Sequence, residues 1–383
     1  MDPILVNRRR FLMGMAAGGV GLGWAAGASA AAADGARPLL VVVLRGGMDG
    51  LAAVPAVGDP DFAQARGAVG EGEVGPRLEG PFALHRSLSP WGELWDDGDL
   101  LVAHGVGLPY RGRSHFDAQD MVGSGESRPM RSDTGWLGRA LHRVGGHAVA
   151  VGRSVPLLLR GPDGSARPAS VDPTRRSRRD EGRLVAVREA MGGDALLSSA
   201  LEEAISTRAT LDRLGSGRAR DLSDTLATTA RLMALPEGPQ VASLELDGWD
   251  THARQGPVLE RLLGDLAKGI VAFRDADAEL WSRSMVLVVT EFGRTVHGNG
   301  TDGTDHGVGA AAFALGGAVD GGRVVADWRG LAAGSLVDGR DVPVTTDLRG
   351  LFAGALVSQL GLSEGEALES FPERGELSVV PLS

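Results

Sequence analysis

Cysteine is absent from all 383 residues. No disulfide framework can brace the fold and no thiolate can bind a metal, so any metal site must use oxygen and imidazole donors. Lysine is almost absent too: Lys268 alone interrupts an otherwise all-arginine basic set, a bias we read as base composition rather than mechanism. There is no Gly-x-Ser-x-Gly elbow, no Walker loop and no His-Glu-x-x-His, which argues against a serine hydrolase, an NTPase and a common metalloprotease. No internal repeat is visible.

Near the start, Asn7-Arg8-Arg9-Arg10-Phe11-Leu12 has the twin-arginine pattern, followed by a glycine-rich stretch to about Ala26 and then Ala28-Ser29-Ala30. This predicts a Tat export signal over residues 1–33, cut between Ala30 and Asp34, with the Tat translocase as a partner and a periplasmic or extracellular destination. Gly14, Gly18, Gly19, Gly21 and Gly23 dilute the apolar stretch, so a permanent transmembrane anchor is not expected. Twin-arginine export carries folded proteins, which fits a metal loaded before crossing. Removing Arg8, Arg9, Arg10 and Asp2 from 39 basic and 49 acidic residues leaves 36 against 48, a formal charge of −12. An acidic chain of this kind is a poor nucleic-acid binder.

The remaining residues suit one large α/β domain with an insertion, or two smaller domains. Pro38 to Leu44 is the most apolar strand candidate; a Trp-bearing helix from Ser89 to Asp97 and a strand from Asp99 to Ala103 follow. Ser114 opens a helix, residues 135–143 form another, and 147–151 with 155–159 read as paired short strands. From about 162 to 239 charge alternates with alanine at helical spacing over 183–205 and 219–235, which predicts a helical insertion or cap. The core resumes with a strand at 241–246, a helix at 257–276 and strands at 285–290 and 311–315; Asp347 caps a helix to about Leu360. The fold class is α/β, a mostly parallel central sheet flanked by helices.

Acids and histidines gather in turns that follow these strands: Asp247-Gly-Trp-Asp250-Thr-His252, Thr290-Glu291-Phe-Gly-Arg294, and Gly303-Thr-Asp305-His306-Gly307, with Asp49 after the first strand. Ligands in open α/β sheets bind outside the carboxyl ends of the strands. Carboxylates and imidazoles converging there point to a metal site, with Asp49, Asp247, Asp250, His252, Glu291, Asp305 and His306 as candidate ligands. Glu291 could instead pair with Arg294, and Asp250 could support His252 from behind. His85, His104, His142, His147 and His297 lack such settings and are read as surface or packing residues. Trp136 and Trp249 are read as buried anchors.

Read together, Leu44-Arg-Gly-Gly-Met-Asp-Gly50, Ser114-His-Phe-Asp-Ala-Gln119, Thr134-Gly-Trp-Leu-Gly138, Leu246-Asp-Gly-Trp-Asp-Thr-His252, Thr290-Glu-Phe-Gly-Arg-Thr295 and Gly303-Thr-Asp-His-Gly307 resemble the twin-arginine-exported family called domain of unknown function 1501. The resemblance covers nearly the whole chain after the leader. It implies the fold of the alkaline phosphatase and sulfatase superfamily and an exported hydrolase of phosphate or sulfate esters with one or two divalent ions: zinc, magnesium, manganese or calcium. It further implies Asp49 as a metal ligand and Ser114 as the nucleophile at a helix start. Asp247 or Asp250 with His252, and then Glu291 and His306, would complete the metal set. Arg294, Arg45 or His115 would bind oxyanion charge. Phe292 stands where the phosphatases have the second half of an Asp-His pair, which implies one metal, or an oxygen-rich calcium or magnesium site, in place of a full two-zinc site. A non-catalytic periplasmic binding or assembly protein that retains the scaffold is the alternative.

Overall fold

The computed structural model describes residues 37–70, 74–162, 169–172 and 219–383. The expected leader, the helical stretch 183–205 and most of the expected insertion lie outside the described residues. Eleven strands are described: β1 (Leu39–Leu44), β2 (Val74–Arg77), β3 (Ala83–His85), β4 (Leu100–Gly107), β5 (Ala148–Val151), β6 (Ala169–Val171), β7 (Val241–Leu246), β8 (Met285–Thr290), β9 (Ala310–Leu315), β10 (Arg323–Val325) and β11 (Thr346–Asp347). Nine form one sheet in the order β10-β4-β9-β8-β1-β7-β5-β6, with β11 beside β4, while β2 and β3 make a small ribbon.

β1, β4, β8 and β9 are buried along their whole length, which is why they read as unbroken apolar runs rather than alternating ones. Helices cover both faces. One face carries the helices Leu222–Met233 and Gln255–Ala276, whose residues Leu226, Ala230, Leu263, Ile270 and Phe273 join the core with Val42 and Phe313. The other carries His115–Ser124, Trp136–Val144 and Leu348–Leu360, with Trp136 stacked on Phe352 at 4.5 Å between ring centroids. The sheet is mostly parallel; β9 alone runs against both its neighbours, β4 and β8.

Register decides what meets at the rim. Leu44 pairs with Leu246 on one side and Thr290 on the other, so Arg45, Asp247 and Glu291 leave the sheet at one level. β4 runs parallel to β8 across the reversed β9, so its carboxyl end and the following segment to His115 reach the same rim. Because β9 is reversed, its amino end lies there as well, and this brings His306 back to the first turns.

Local expectations differ from the structure in a few places. Residues 157–159 form a 3-10 turn, and β5 pairs with β6 and β7 instead. The Trp-bearing helix is a 3-10 turn, Arg86–Trp91, running into Gly92–Asp96, because Pro90 cannot supply an amide to a continuous α-helix. His104, read as a surface or packing residue, is fully buried, stacked on Phe82 at 5.0 Å and set edge-on to Trp328 at 5.2 Å.

Candidate metal centre

Two turns and one helix start deliver the cluster. Ser114 is the N-cap of His115–Ser124, which places His115 on the first turn facing the sheet rim. The turn after β7 carries Asp250 and His252, and the turn before β9 carries Asp305 and His306. The last of these is pinned by an antiparallel bridge between Arg294 and His306. Gly46 lets the β1 turn approach: its φ is +128°, and a Cβ there would lie 2.3 Å from the Asp250 amide nitrogen. Gly303 does the same for the β9 turn, where a Cβ would stand 2.2 Å from the His252 carbonyl oxygen.

His115, Asp250 and His306 offer ligand atoms that all lie within 4.8 Å of one another. His306 Nε2 is 3.0 Å from His115 Nε2, 2.9 Å from His252 Nε2 and 3.1 Å from Asp250 Oδ1. His252 Nε2 is 3.0 Å from the same Asp250 oxygen. On every ring the far nitrogen faces an oxygen. His306 Nδ1 is 3.0 Å from the Arg113 carbonyl, His115 Nδ1 2.9 Å from Glu291 Oε1, and His252 Nδ1 3.3 Å from Asp305 Oδ1.

These oxygen partners fix the tautomers. A carbonyl and carboxylates accept only, so each Nδ1 carries a hydrogen, and a ring in its neutral form turns its Nε2 lone pair inward. His306 Nε2 then stands 2.9–3.1 Å from His115 Nε2, His252 Nε2 and Asp250 Oδ1, an arrangement that repels itself without a proton or a metal cation among them. A tetrahedral site with bonds of 2.0–2.1 Å separates its donors by roughly 3.3–3.4 Å, so a small outward shift would accommodate an ion. Imidazoles whose second nitrogen is held by a carboxylate or carbonyl are the usual setting of a bound transition metal. The donor set fits the group.

Burial, helped by the nearby His115 and Arg294, lowers the His306 pKa despite the opposing pull of the Arg113 carbonyl and Asp250. Burial alone would raise the Asp250 carboxyl, but the Arg294 guanidinium at 2.7 Å and the His306 ring outweigh it and hold it below the usual carboxylate range. Phe292 is buried under the cluster, its ring centroid 4.8 Å from His115 and 5.0 Å from His306. It fills the space on that side with hydrocarbon.

The remaining candidates take other positions. Asp49 is buried apart from the cluster, with Oδ2 accepting from Arg66 Nη2 and Gln255 Nε2, both at 2.7 Å, and Oδ1 accepting from the Ala52 amide at 3.1 Å. No oxygen is left facing the histidines, so it serves as a buried anchor. Asp247 is mostly exposed, 3.5 Å from Arg45 Nη1. Glu291 holds a ligand rather than facing the lone pairs: Oε1 also accepts from the Gly46 amide and Gln119 Nε2, and Oε2 from the Thr290 hydroxyl. Asp305 stands behind His252, and the Asn299 amide together with His252 keeps its carboxyl low.

Arg294 is fully buried and its donors are committed to Asp250, Thr304 Oγ1 and the Thr304 carbonyl, so it cannot swing to an oxyanion. Ser114 accepts from the Asp117 amide at 3.4 Å as the helix cap. Arg45 is tied to Gln119 and has a third of its side chain exposed. Sequence reasoning missed Gln119, Arg113 and Gln255 as supports. Gln119 closes one of the six quoted motifs, but a hydrogen bond accepted by the Arg113 carbonyl leaves no trace in residue type.

Fold and site together describe an α/β protein with a cluster of histidines and an aspartate that could hold a metal ion at the carboxyl rim of its sheet. Residues 101–371 match the family described as protein of unknown function DUF1501, and the chain belongs to that family. No curated protein sequence matches the chain. Among solved structures it is similar to the C-terminal periplasmic domain of EcEptC from Escherichia coli in complex with Zn, at 9% identity over 75% of this chain and 74% of that one, TM-score 0.39. It is also similar to phosphonate monoester hydrolase of Agrobacterium radiobacter, at 11% identity over 85% and 74%, TM-score 0.39. Murine ectonucleotide pyrophosphatase / phosphodiesterase 5 matches at 10% over 67% and 57%, TM-score 0.30.

Proposed function

We propose that His115, His252, His306 and Asp250 hold one divalent transition metal, zinc before magnesium or calcium, and that the protein hydrolyses phosphate or sulfate esters. The observation that carries the metal is the convergence of the His115, His252 and His306 Nε2 atoms around the Asp250 carboxylate, two of them on Oδ1 and His115 nearer Oδ2. Imidazole suits zinc and its neighbours, whereas magnesium and calcium want oxygen. Bound there, the ion would supply Lewis acidity to the ester oxygens and to the attacking hydroxyl. Phe292, packed against two of the histidines, supports a single ion.

The chain's own residues set the stage. Arg294 keeps Asp250 ionised, Glu291 and the Arg113 carbonyl hold two rings in one tautomer, and Ser114 is the nucleophile candidate at a helix start whose backbone amides favour an anion. The second reading, a binding or assembly protein, is favoured by the four protein donors themselves, since a fully protein-ligated ion is typical of structural sites. Metal analysis of wild type, His306→Ala and Ser114→Ala, with a screen of phosphate and sulfate esters, separates the two. Stoichiometric zinc lost in His306→Ala, with Ser114→Ala keeping metal but losing turnover, is the result for the enzyme. Stoichiometric zinc without turnover on any ester is the result for the structural role.

We carry with this reading a Tat leader over 1–33 and one alkaline phosphatase-like domain over 34–383 with a helical insertion at about 162–239, of which β6 and the helix Leu222–Met233 belong to the sheet and its cover. The protein is exported to the periplasm or beyond, with an anionic ester as its partner and no nucleic acid. Among the described residues no helix is long and apolar enough to cross a membrane. Replacing Arg9 and Arg10 together by Lys and following the protein by fractionation tests the route; unchanged export would exclude it.

A further inference from the structure

We propose that Gln255 is a positioning residue that sets the spacing of the metal ligands by tying the two ligand-bearing turns to each other and to Asp49; this rests on the metal reading above. Gln255 is the first residue of the long helix Gln255–Ala276 and is 2% exposed. Its amide orientation is dictated by its neighbours. Nε2 must donate to the Asp49 carboxylate at 2.7 Å, so Oε1 is left to accept, and it accepts two hydroxyls: Thr251 Oγ1 at 2.8 Å and Thr304 Oγ1 at 2.6 Å.

Thr251 sits between Asp250 and His252, and Thr304 directly precedes Asp305 and His306. One carbonyl oxygen therefore holds both turns, and the Thr304 amide donates across to the Thr251 carbonyl at 3.2 Å. The direction of the chain continues to the ligands. With its hydrogen given to Gln255, Thr304 Oγ1 accepts from Arg294 Nε at 3.2 Å, and Arg294 Nη1 donates to Asp250 at 2.7 Å. Every member apart from Asp250 is buried, so no water stands ready to replace a missing partner. Arg254, the residue before, holds φ +46° while its amide donates to Thr301, and Gln255 donates its own to the Asp302 carbonyl. The helix start is thus locked to the His306 turn through backbone as well as side chain.

The test is zinc titration by calorimetry on the full chain and its variants Gln255→Met, Thr304→Val and Thr304→Ser. Loss of a support behind a metal ligand costs about 10–100-fold in metal affinity, and that weakening is expected for Gln255→Met and Thr304→Val. Thr304→Ser keeps the hydroxyl and is expected to bind as wild type does. Were the contact mere packing, Ser, lacking the methyl, would be the worse of the two replacements. Wild-type affinity in both Gln255→Met and Thr304→Val overturns the positioning role and leaves the metal centre standing. Wild type that binds no zinc removes the metal centre, and this role with it.

Discussion

Glu291 illustrates how much a single side chain does behind the cluster: with two oxygens it receives hydrogen bonds from Gly46, Gln119, Thr290 and His115. Glu291→Gln turns one acceptor oxygen into a donor facing other donors. We expect zinc affinity to fall about 10–100-fold, measured by competition with a chromophoric chelator; unchanged affinity would remove Glu291 from the support role. Asp49 behaves differently. Its partner Arg66 is fully buried, and removing one member of a buried ion pair costs about 3–5 kcal/mol. Asp49→Ala should therefore unfold at a much lower denaturant concentration, whereas a surface-like loss below about 0.5 kcal/mol would contradict the anchor role.

At the scale of elements, the apolar runs made the sheet legible. Met285 to Thr290 and Val241 to Leu246 are strands over the spans their composition implies, and Asp347 caps its helix to Leu360. The turns after them revealed which residue types would meet. The sequence did not reveal which oxygen each carboxylate would spend and on what. Asp49, Asp250 and Glu291 all follow strands, yet only Asp250 faces the Nε2 atoms of the histidines, because Arg66, distant from the motifs, claims Asp49, and Gln119 with Gly46 helps claim Glu291. The direction of β9 was equally hidden, since Ala310 to Leu315 reads the same either way. Helix Leu348–Leu360 offers a further test. A Cβ at Gly354 would come within 2.0 Å of the Val380 carbonyl, where the extended C-terminal segment lies against the helix. Gly354→Ala should lower stability by about 1–3 kcal/mol, read by denaturant unfolding; a stabilised protein would mean the segment does not pack there.

For the molecule as a whole, acid stability should follow His104. Burial lowers its pKa to about 4, outweighing the Val54 and Gly50 carbonyls and the Asp49 charge. Unfolded, the ring takes a proton near 6.5; folded, it resists until about 4. Between those values the unfolded chain binds more protons, so stability rises with pH, is complete above 6.5 and is lost as pH falls toward 4. The full difference is on the order of 3 kcal/mol. Urea unfolding of wild type and His104→Phe across pH 4–7 checks this; an equal slope in both proteins would locate the acid sensitivity elsewhere.

The reversal of β9 has a kinetic consequence. His306 meets His115 across 191 residues of sequence, and the two can touch only once β4, β9 and β8 have zipped together. An ion gripping both rings would then act as a clasp on the strands added between them, slowing their separation without hastening their assembly. Zinc should show itself most clearly in how long the native protein survives: the unfolding arm of a chevron should drop while the folding arm barely moves.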